Sequence, residues 1–215
     1  AIVRTIFHVS KTLRMELAAT MELLNDQFLE ILAAAPDHLT CFVADIDRRH
    51  NTITWCNAGH CPPLLFPVDQ PPCRLAPTAP LMGFFRAPWL TQTLPWTRGC
   101  RLFCYTDGFF EWPLPGAVCA QEASEEPMLG LEKFLDLACT LEAARLADAS
   151  PVRFLERLDL ALSCLANAAP VDESLDPETP AVALNLRPDS SADCATLPAP
   201  AFRDDCTALW VEAME

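Results

Sequence analysis

The order of helical and strand-like segments limits the possible folds of this chain more than any other feature of its sequence. One helical segment comes first, several strands follow, and two helices precede a last strand. The predicted segments are residues 1–35 (helix), 40–47, 52–56 and 101–106 (strands), 128–147 and 151–167 (helices) and 206–211 (strand). Antiparallel strands with helices grouped after them favour an α+β fold over a doubly wound sheet.

The chain length of 215 residues allows one domain, or one domain with a long insertion. The segment 168–200 is rich in proline, alanine, serine and aspartate and has no apolar periodicity, which predicts a flexible insertion. Residues 67–80 are rich in proline and are expected to pair only briefly in a sheet. Because the sequence opens with helical residues at Ala1 and not with methionine, we expect it to begin inside a larger protein.

The charge and the apolar pattern exclude several classes of protein. A net charge of −14 disfavours binding to nucleic acid and to anionic lipid. No apolar run reaches the roughly 18 residues that a membrane span needs, and no signal-peptide pattern opens the chain. We therefore predict no nucleic-acid partner and no membrane segment.

The 11 cysteines are scattered and form no CxxC pair, so a zinc site is not expected. Four of them lie in apolar runs, where a free thiol packs as a small hydrophobic group: Cys41, Cys56, Cys104 and Cys206. This use of cysteine predicts a reducing, cytoplasmic location.

Two aspartates at strand ends are the candidate metal ligands. Asp107 follows the apolar strand 101–106 and precedes Gly108, and Asp204 opens the last strand. If these strands are antiparallel neighbours, both carboxylates lie at one edge of the sheet and suit Mg²⁺ or Mn²⁺. The residues alone leave an ordinary turn and an ordinary strand cap as the alternative, and two carboxylates are too few for two ions.

Four short motifs carry a resemblance to a known family. They are, in chain order, Asn57-Ala58-Gly59-His60-Cys61-Pro62-Pro63-Leu64-Leu65, Pro80-Leu81-Met82-Gly83, Tyr105-Thr106-Asp107-Gly108 and Asp204-Asp205-Cys206-Thr207-Ala208-Leu209. Their order and spacing resemble the SpoIIE-like branch of the PPM (protein phosphatase 2C-type) serine/threonine phosphatases. The resemblance covers residues 1 to about 115, the two helices before 168, and 201–211.

The resemblance implies an αββα sandwich, in which helices flank two antiparallel sheets. It also implies two Mn²⁺ or Mg²⁺ ions, and a water that they deprotonate to attack a phosphoserine or phosphothreonine. Asp107 and Asp204 match metal ligands of the family. Gly108, Asp205 and His60 are expected in the second shell or in turns, and His60 is expected to have a structural role rather than that of a general acid.

Two elements of the family have no counterpart in the sequence: an early strand with a metal aspartate, and a GHG-type turn that bridges both ions. Both would lie immediately before Ala1, so the domain is expected to be incomplete at its N-terminus and weakly active or inactive as it stands. Asp45 and Asp47 do not replace these ligands, because their position belongs to the first hairpin, and they are interpreted as turn carboxylates.

Two functions remain open. The first is an enzyme: the parent protein dephosphorylates a regulatory protein in bacterial signalling, with an anti-sigma-factor antagonist as the type of substrate and an upstream sensor or receiver domain as regulator. The second is a non-catalytic module, a truncated or degenerate phosphatase fold that binds a protein partner. Asp107 and Asp204 favour the enzyme, whereas the missing motifs favour the module for this chain by itself.

Overall fold

The computed structural model describes residues 2–31, 38–111, 128–143, 151–166 and 208–213. Four helices lie within these residues: α1 (Ile2–Leu13), α2 (Leu17–Ile31), α3 (Leu131–Ala143) and α4 (Pro151–Ala166). The strands are β1 (Cys41–Asp47), β2 (Thr52–Ala58), β3 (Leu64–Phe66), β4 (Cys73–Arg74), β5 (Gln92–Pro95), β6 (Arg101–Tyr105) and β7 (Ala208–Glu212). The predicted insertion at 168–200 falls outside the described residues and stays a prediction.

The strands form two antiparallel sheets, as the α+β prediction requires. One sheet has the order β1-β2-β5 and the other has the order β4-β3-β6-β7. The predicted hairpin is the pair β1–β2, which runs in register from Cys41 opposite Ala58 to Asp47 opposite Thr52. The proline-rich segment contributes the two-residue strand β4, and β5 is a strand that the sequence patterns did not predict.

The prediction of one continuous helix over 1–35 is wrong, because the helix stops at Leu13 and a second one begins at Leu17. Arg14 adopts a left-handed φ of 54°. The Arg14 amide donates to the Lys11 carbonyl (3.2 Å) and the Met15 amide to the Ser10 carbonyl (2.9 Å). This pair of bonds is a Schellman motif, which satisfies the last carbonyls of α1 and ends the helix.

The chain divides into two compact units, Ala1–Thr106 with Ala208–Glu215, and Asp107–Thr207. The first unit contains both sheets. Side chains of one face of each sheet share an apolar cluster whose buried members are Ile53, Trp55, Leu65, Leu75, Trp96, Cys100 and Leu102. This cluster is the core of a two-sheet sandwich, since alternate residues of each strand point into it.

Helices α1 and α2 cover the other face of the β1–β2 pair. Ile6 of α1 and Met21 and Leu24 of α2 pack in one buried cluster with Cys56 and Ala58 of β2. The first unit therefore has a helical layer on its three-stranded sheet. None of the described helices has the length and apolar character that a membrane crossing needs.

The second unit contains helices α3 and α4, close to where the sequence predicts them. Phe134, Leu135 and Ala138 of α3 are buried, and so are Leu158 and Leu162 of α4. The segment Asp107–Phe109, which carries the predicted metal aspartate, is a 3-10 turn at the start of this unit.

Candidate metal and phosphate site

Strand β6 is an apolar strand that ends two residues before the candidate metal ligand. Leu102, Phe103 and Tyr105 are buried, and the chain leaves the strand at Thr106. The carbonyl of Asp107 then accepts hydrogen bonds from the amides of Phe110 and Glu111, both at 2.9 Å. The backbone of Asp107 is therefore fixed by its own turn.

Aromatic packing holds the same turn from its other end. The rings of Phe109 and Phe110 lie 5.7 and 6.0 Å from the ring of Phe134 in α3. The amide of Gly130 donates to the carbonyl of Phe110 at 3.0 Å. Gly108 is buried within the turn, where a glycine lets the backbone pack closely. Within the second unit, these contacts fix the position of the turn against α3.

The carboxylate of Asp107 is half-buried, and no described residue donates a hydrogen bond to it or forms an ion pair with it. A carboxylate in such a place keeps its lone pairs for water or for a ligand. Its oxygens are of the type that hard divalent cations prefer. Asp107 therefore fits a divalent cation as one ligand.

The second predicted ligand, Asp204, and its neighbour Asp205 lie outside the described residues. The structure does describe the strand pairing on which their placement depends: β6 and β7 are antiparallel, with Tyr105 opposite Ala208. Strand β6 thus ends and strand β7 begins at the same edge of the sheet. The distance between the Asp107 and Asp204 carboxylates stays a prediction.

Among the described residues, no group of three or more His, Cys, Asp or Glu side chains could hold a metal ion. Of the two predicted metal ligands, Asp107 and Asp204, the described residues include Asp107 alone. A cation site built on Asp107 therefore needs ligands beyond those that the structure describes.

The turn that contains His60 is organised by the amide side chain of Asn57, which is fully buried. Its Oδ1 accepts a hydrogen bond from the His60 amide (2.9 Å), and its Nδ2 donates to the carbonyls of His60 (3.1 Å) and Leu75 (3.0 Å). Gly59 has φ +70°, and a Cβ there would collide with the side chain of Leu81. The backbone of His60 therefore belongs to a hydrogen-bonded turn, and the structural or second-shell role expected of His60 stays a prediction.

A hydrogen bond that the sequence reasoning missed joins this turn to β6. The Tyr105 hydroxyl donates to the carbonyl of Pro62 at 2.8 Å. The signal was present in the sequence, because Asn57 and Tyr105 belong to the same motifs as the predicted Asp107 and His60. Which carbonyl a tyrosine reaches depends on strand register, and the motif spacing does not specify that register.

The loop with the Pro80-Leu81-Met82-Gly83 motif is fixed in a similar way by a second buried asparagine. The Gly83 amide donates to Asn25 Oδ1 (2.8 Å), and Asn25 Nδ2 donates to the Phe85 carbonyl (3.2 Å). Met82 is fully buried and exchanges two backbone hydrogen bonds with Leu39. Hydrogen bonds to Asn25 therefore attach the loop that contains this motif to helix α2.

Cys41, Cys56 and Cys104 pack with apolar side chains, as the sequence predicts for them. Cys56 is fully buried in the cluster under α1 and α2, and Cys41 packs against the same cluster. Burial, with a smaller effect of the neighbouring Cys56, raises the pKa of Cys41 to about 11. Burial raises the pKa of Cys104 to about 12. Both remain neutral thiols at physiological pH, so they are poor nucleophiles. Cys206 lies outside the described residues.

Comparison with known proteins supports the assignment that the motifs suggest. The sequence pattern of the SpoIIE (stage II sporulation protein E) family matches residues 1–166. Among curated proteins, no sequence relative matches the chain.

Two solved structures are similar in fold. The SiaA-PP2C domain of Pseudomonas aeruginosa aligns with a TM-score of 0.62 at 15% identity, over 96% of this chain and 65% of that one. The RsbU and RsbW domains of a Mycobacterium tuberculosis protein align with a TM-score of 0.50 at 23% identity, over 76% of this chain and 42% of that one. The chain thus spans less than two thirds of either structure, and at these identities the likeness shows the fold. The two antiparallel sheets and four helices confirm a PP2C-type α+β fold, and with the family match over residues 1–166 the chain belongs to the SpoIIE family.

Proposed function

We propose that this chain is part of a protein serine/threonine phosphatase that removes phosphate from a regulatory protein with the help of Mn²⁺ or Mg²⁺. The observation that carries the proposal is the state of Asp107. Its carboxylate is half-buried, has no protein partner among the described residues, and follows the strand that pairs with β7. Membership of the SpoIIE family supports the same reaction class.

Asp107 and Asp204 would hold the cation, and Asp205 and Gly108 would shape the surrounding backbone. Two bound ions supply charge compensation for the phosphoryl oxygens and lower the pKa of a water molecule. The protein's own contribution is positional, because the turn of Asp107 is fixed by its backbone hydrogen bonds and by Phe134. A rigid ligand binds a cation at a smaller cost in conformational entropy than a mobile one.

The substrate we propose is a phosphorylated regulatory protein of the anti-sigma-factor antagonist type, in bacterial signalling in the cytoplasm. An upstream sensor or receiver domain would control the reaction. A regulatory protein as substrate is consistent with the similar structures, one of which contains RsbU and RsbW domains together. With a net charge of −14, the protein is not suited to a nucleic-acid target.

The test is release of phosphate from a phosphoserine peptide as the Mn²⁺ concentration is raised, for this chain and for a form extended upstream of Ala1. We expect metal-dependent turnover from the extended form and little or none from the chain alone, since Asp107 and Asp204 supply only part of one ion's ligands. Robust turnover by the chain alone would show that the site is built differently. No turnover by either form, with retained binding to a protein partner, would favour the non-catalytic module.

A further inference from the structure

A side chain holds the segment that precedes β3 to the end of β6. The β3–β6 pairing begins at Leu64, which lies opposite Phe103, and Tyr105 is the last residue of β6. Pro62 precedes β3 by two residues, and as a proline it has no amide hydrogen to donate to a strand ladder. The Tyr105 hydroxyl donates to the Pro62 carbonyl at 2.8 Å.

The donor side chain of this hydrogen bond is buried, and the bond itself is partly buried. Tyr105 is 2% exposed, and its ring packs 5.3 Å from the ring of Phe103. Removing the hydroxyl takes one donor from the Pro62 carbonyl at this partly buried place, which costs more than the loss of a fully exposed hydrogen bond. The hydroxyl therefore fixes the end of β6 against the segment that precedes β3.

The acceptor of this bond is itself held in place. Asn57 binds both the amide and the carbonyl of His60, two residues before Pro62, and it also binds the carbonyl of Leu75. The backbone carbonyl of Asn57 accepts two further bonds, from the amides of Thr78 (2.8 Å) and Ala79 (3.1 Å). Asn57 thus ties the turn to the segment 75–79 and makes it a rigid support.

From these contacts we infer that Asn57 and Tyr105 are positioning residues for Asp107. The support formed by the turn 57–62 holds β6 at its last residue, Tyr105, and Asp107 follows two residues later in the chain. The motif that contains Asn57 and His60 therefore supports the last residue of β6, from which the chain continues to the candidate cation ligand Asp107. This inference rests on the proposed function, because it concerns the affinity of Asp107 for a divalent cation.

The experiment compares Tyr105→Phe with the parent protein, in both the chain and the upstream-extended form. This substitution removes the hydroxyl and keeps the ring. Two quantities are measured: amide hydrogen exchange over residues 106–108, and Mn²⁺ affinity by calorimetric titration. We expect faster exchange there and about tenfold weaker Mn²⁺ binding, the effect of losing one net hydrogen bond.

Asn57→Asp tests the support itself, and Asn25→Asp is its matched control. Both asparagines are buried, and both bind backbone groups on either side of a turn or loop. Loss of the Asn57 donors should weaken Mn²⁺ binding and speed exchange at 106–108. The same change at Asn25 should affect stability without either of these effects.

The two ideas fail separately. A parent protein that binds no Mn²⁺ and releases no phosphate would overturn the proposed function, and the positioning role would fall with it even if exchange at 106–108 responded to Tyr105→Phe. A parent that binds Mn²⁺, with exchange and affinity unchanged in Tyr105→Phe, would overturn the positioning role alone. Equal losses of affinity in Asn57→Asp and Asn25→Asp would also overturn it, because general destabilisation would then explain both.

Discussion

Asp47 and Asp107 occupy similar places at the ends of strands, but their carboxylates are used differently. Asp47 ends β1, and its Oδ1 accepts hydrogen bonds from the amides of Arg49 (2.7 Å) and His50 (3.1 Å). Its Oδ2 lies 2.7 Å from His50 Nδ1. The carboxylate of Asp107 has no such bond to any residue that the structure describes.

The difference shows which of the two can act as a ligand. Both oxygens of Asp47 are engaged by its own turn, so a cation there would have to displace His50. The bonds from His50, first through its side chain and then through its backbone, lower the pKa of Asp47 to about 2. In the Asp107 turn, the backbone carbonyl of Asp107 accepts the hydrogen bonds, so its carboxylate stays available for a ligand.

The largest effect expected from this comparison is on metal-dependent turnover. Asp107→Asn in the upstream-extended form should reduce Mn²⁺-dependent phosphate release by at least about 100-fold, because an amide is a poor ligand for a hard cation. The matched variant Asp47→Asn should leave turnover unchanged. Stability of Asp107→Asn should be equal to or above that of the parent in the absence of metal. An Asp107→Asn variant as active as its parent would remove Asp107 from the mechanism.

A second effect distinguishes the turns near the two ends of β6. Gly59 lies in the turn that supports the end of β6, and Gly99 precedes the start of that strand. Both have positive φ, but a Cβ at Gly59 collides with Leu81, whereas at Gly99 it lies 3.0 Å from Val68 Cγ2.

Gly59→Ala should therefore lower the free energy of unfolding by about 3 kcal/mol, and Gly99→Ala by about 1–2 kcal/mol. Urea denaturation measures both values. Equal losses would mean that Leu81 moves aside without cost, and that the turn at Gly59 is less rigid than its hydrogen bonds suggest.

A smaller effect is expected in the pH dependence of the Asp47 turn. The lowered pKa of Asp47 gives a contribution to stability that is present above pH 3.8 and lost as the pH falls towards about 2. The side-chain hydrogen bond to Asp47 raises the pKa of His50 above 6.5, so its contribution is complete below pH 6.5 and lost as the pH rises through the raised value.

The Tm difference between the parent and Asp47→Asn should therefore be greatest between about pH 4 and 6, and should shrink on both sides of that window. Asp45→Asn is the control, since Asp45 is exposed in the same strand and its carboxylate has no hydrogen bond to the described residues. A Tm difference that did not vary with pH would show that the charge of Asp47 is not what stabilises the turn.

The smallest effect is expected from deleting residues 168–200. Their composition, with much proline and no apolar periodicity, predicts a segment that adds little to a core. The Tm of the deletion variant should stay close to that of the parent. A large fall would show that a folded element had been taken for an insertion.

Much of the fold could be predicted from the sequence. The hairpin β1–β2, the strand β6 and the helices α3 and α4 follow from strong local patterns, whereas the antiparallel pairing of β6 with β7 entered the sequence analysis only as a condition. The break between α1 and α2 could not be predicted in this way, because it depends on a left-handed arginine at position 14, where glycine is the usual residue. Strand β5 was missed because its four residues are largely exposed and carry no apolar alternation.

For the candidate site, the amino-acid sequence was enough to identify residues of the right chemical type: an aspartate after an apolar strand, a glycine beside it, and motifs in the order of one phosphatase family. The folded structure was needed to show that no described residue binds the carboxylate of Asp107, while that of Asp47 is used by its own turn. It was also needed to show that Asn57 and Tyr105 join two distant motifs. Hydrogen-bond partners are chosen by strand register and burial, because these bring together residues such as Tyr105 and Pro62, which lie 43 positions apart in the chain.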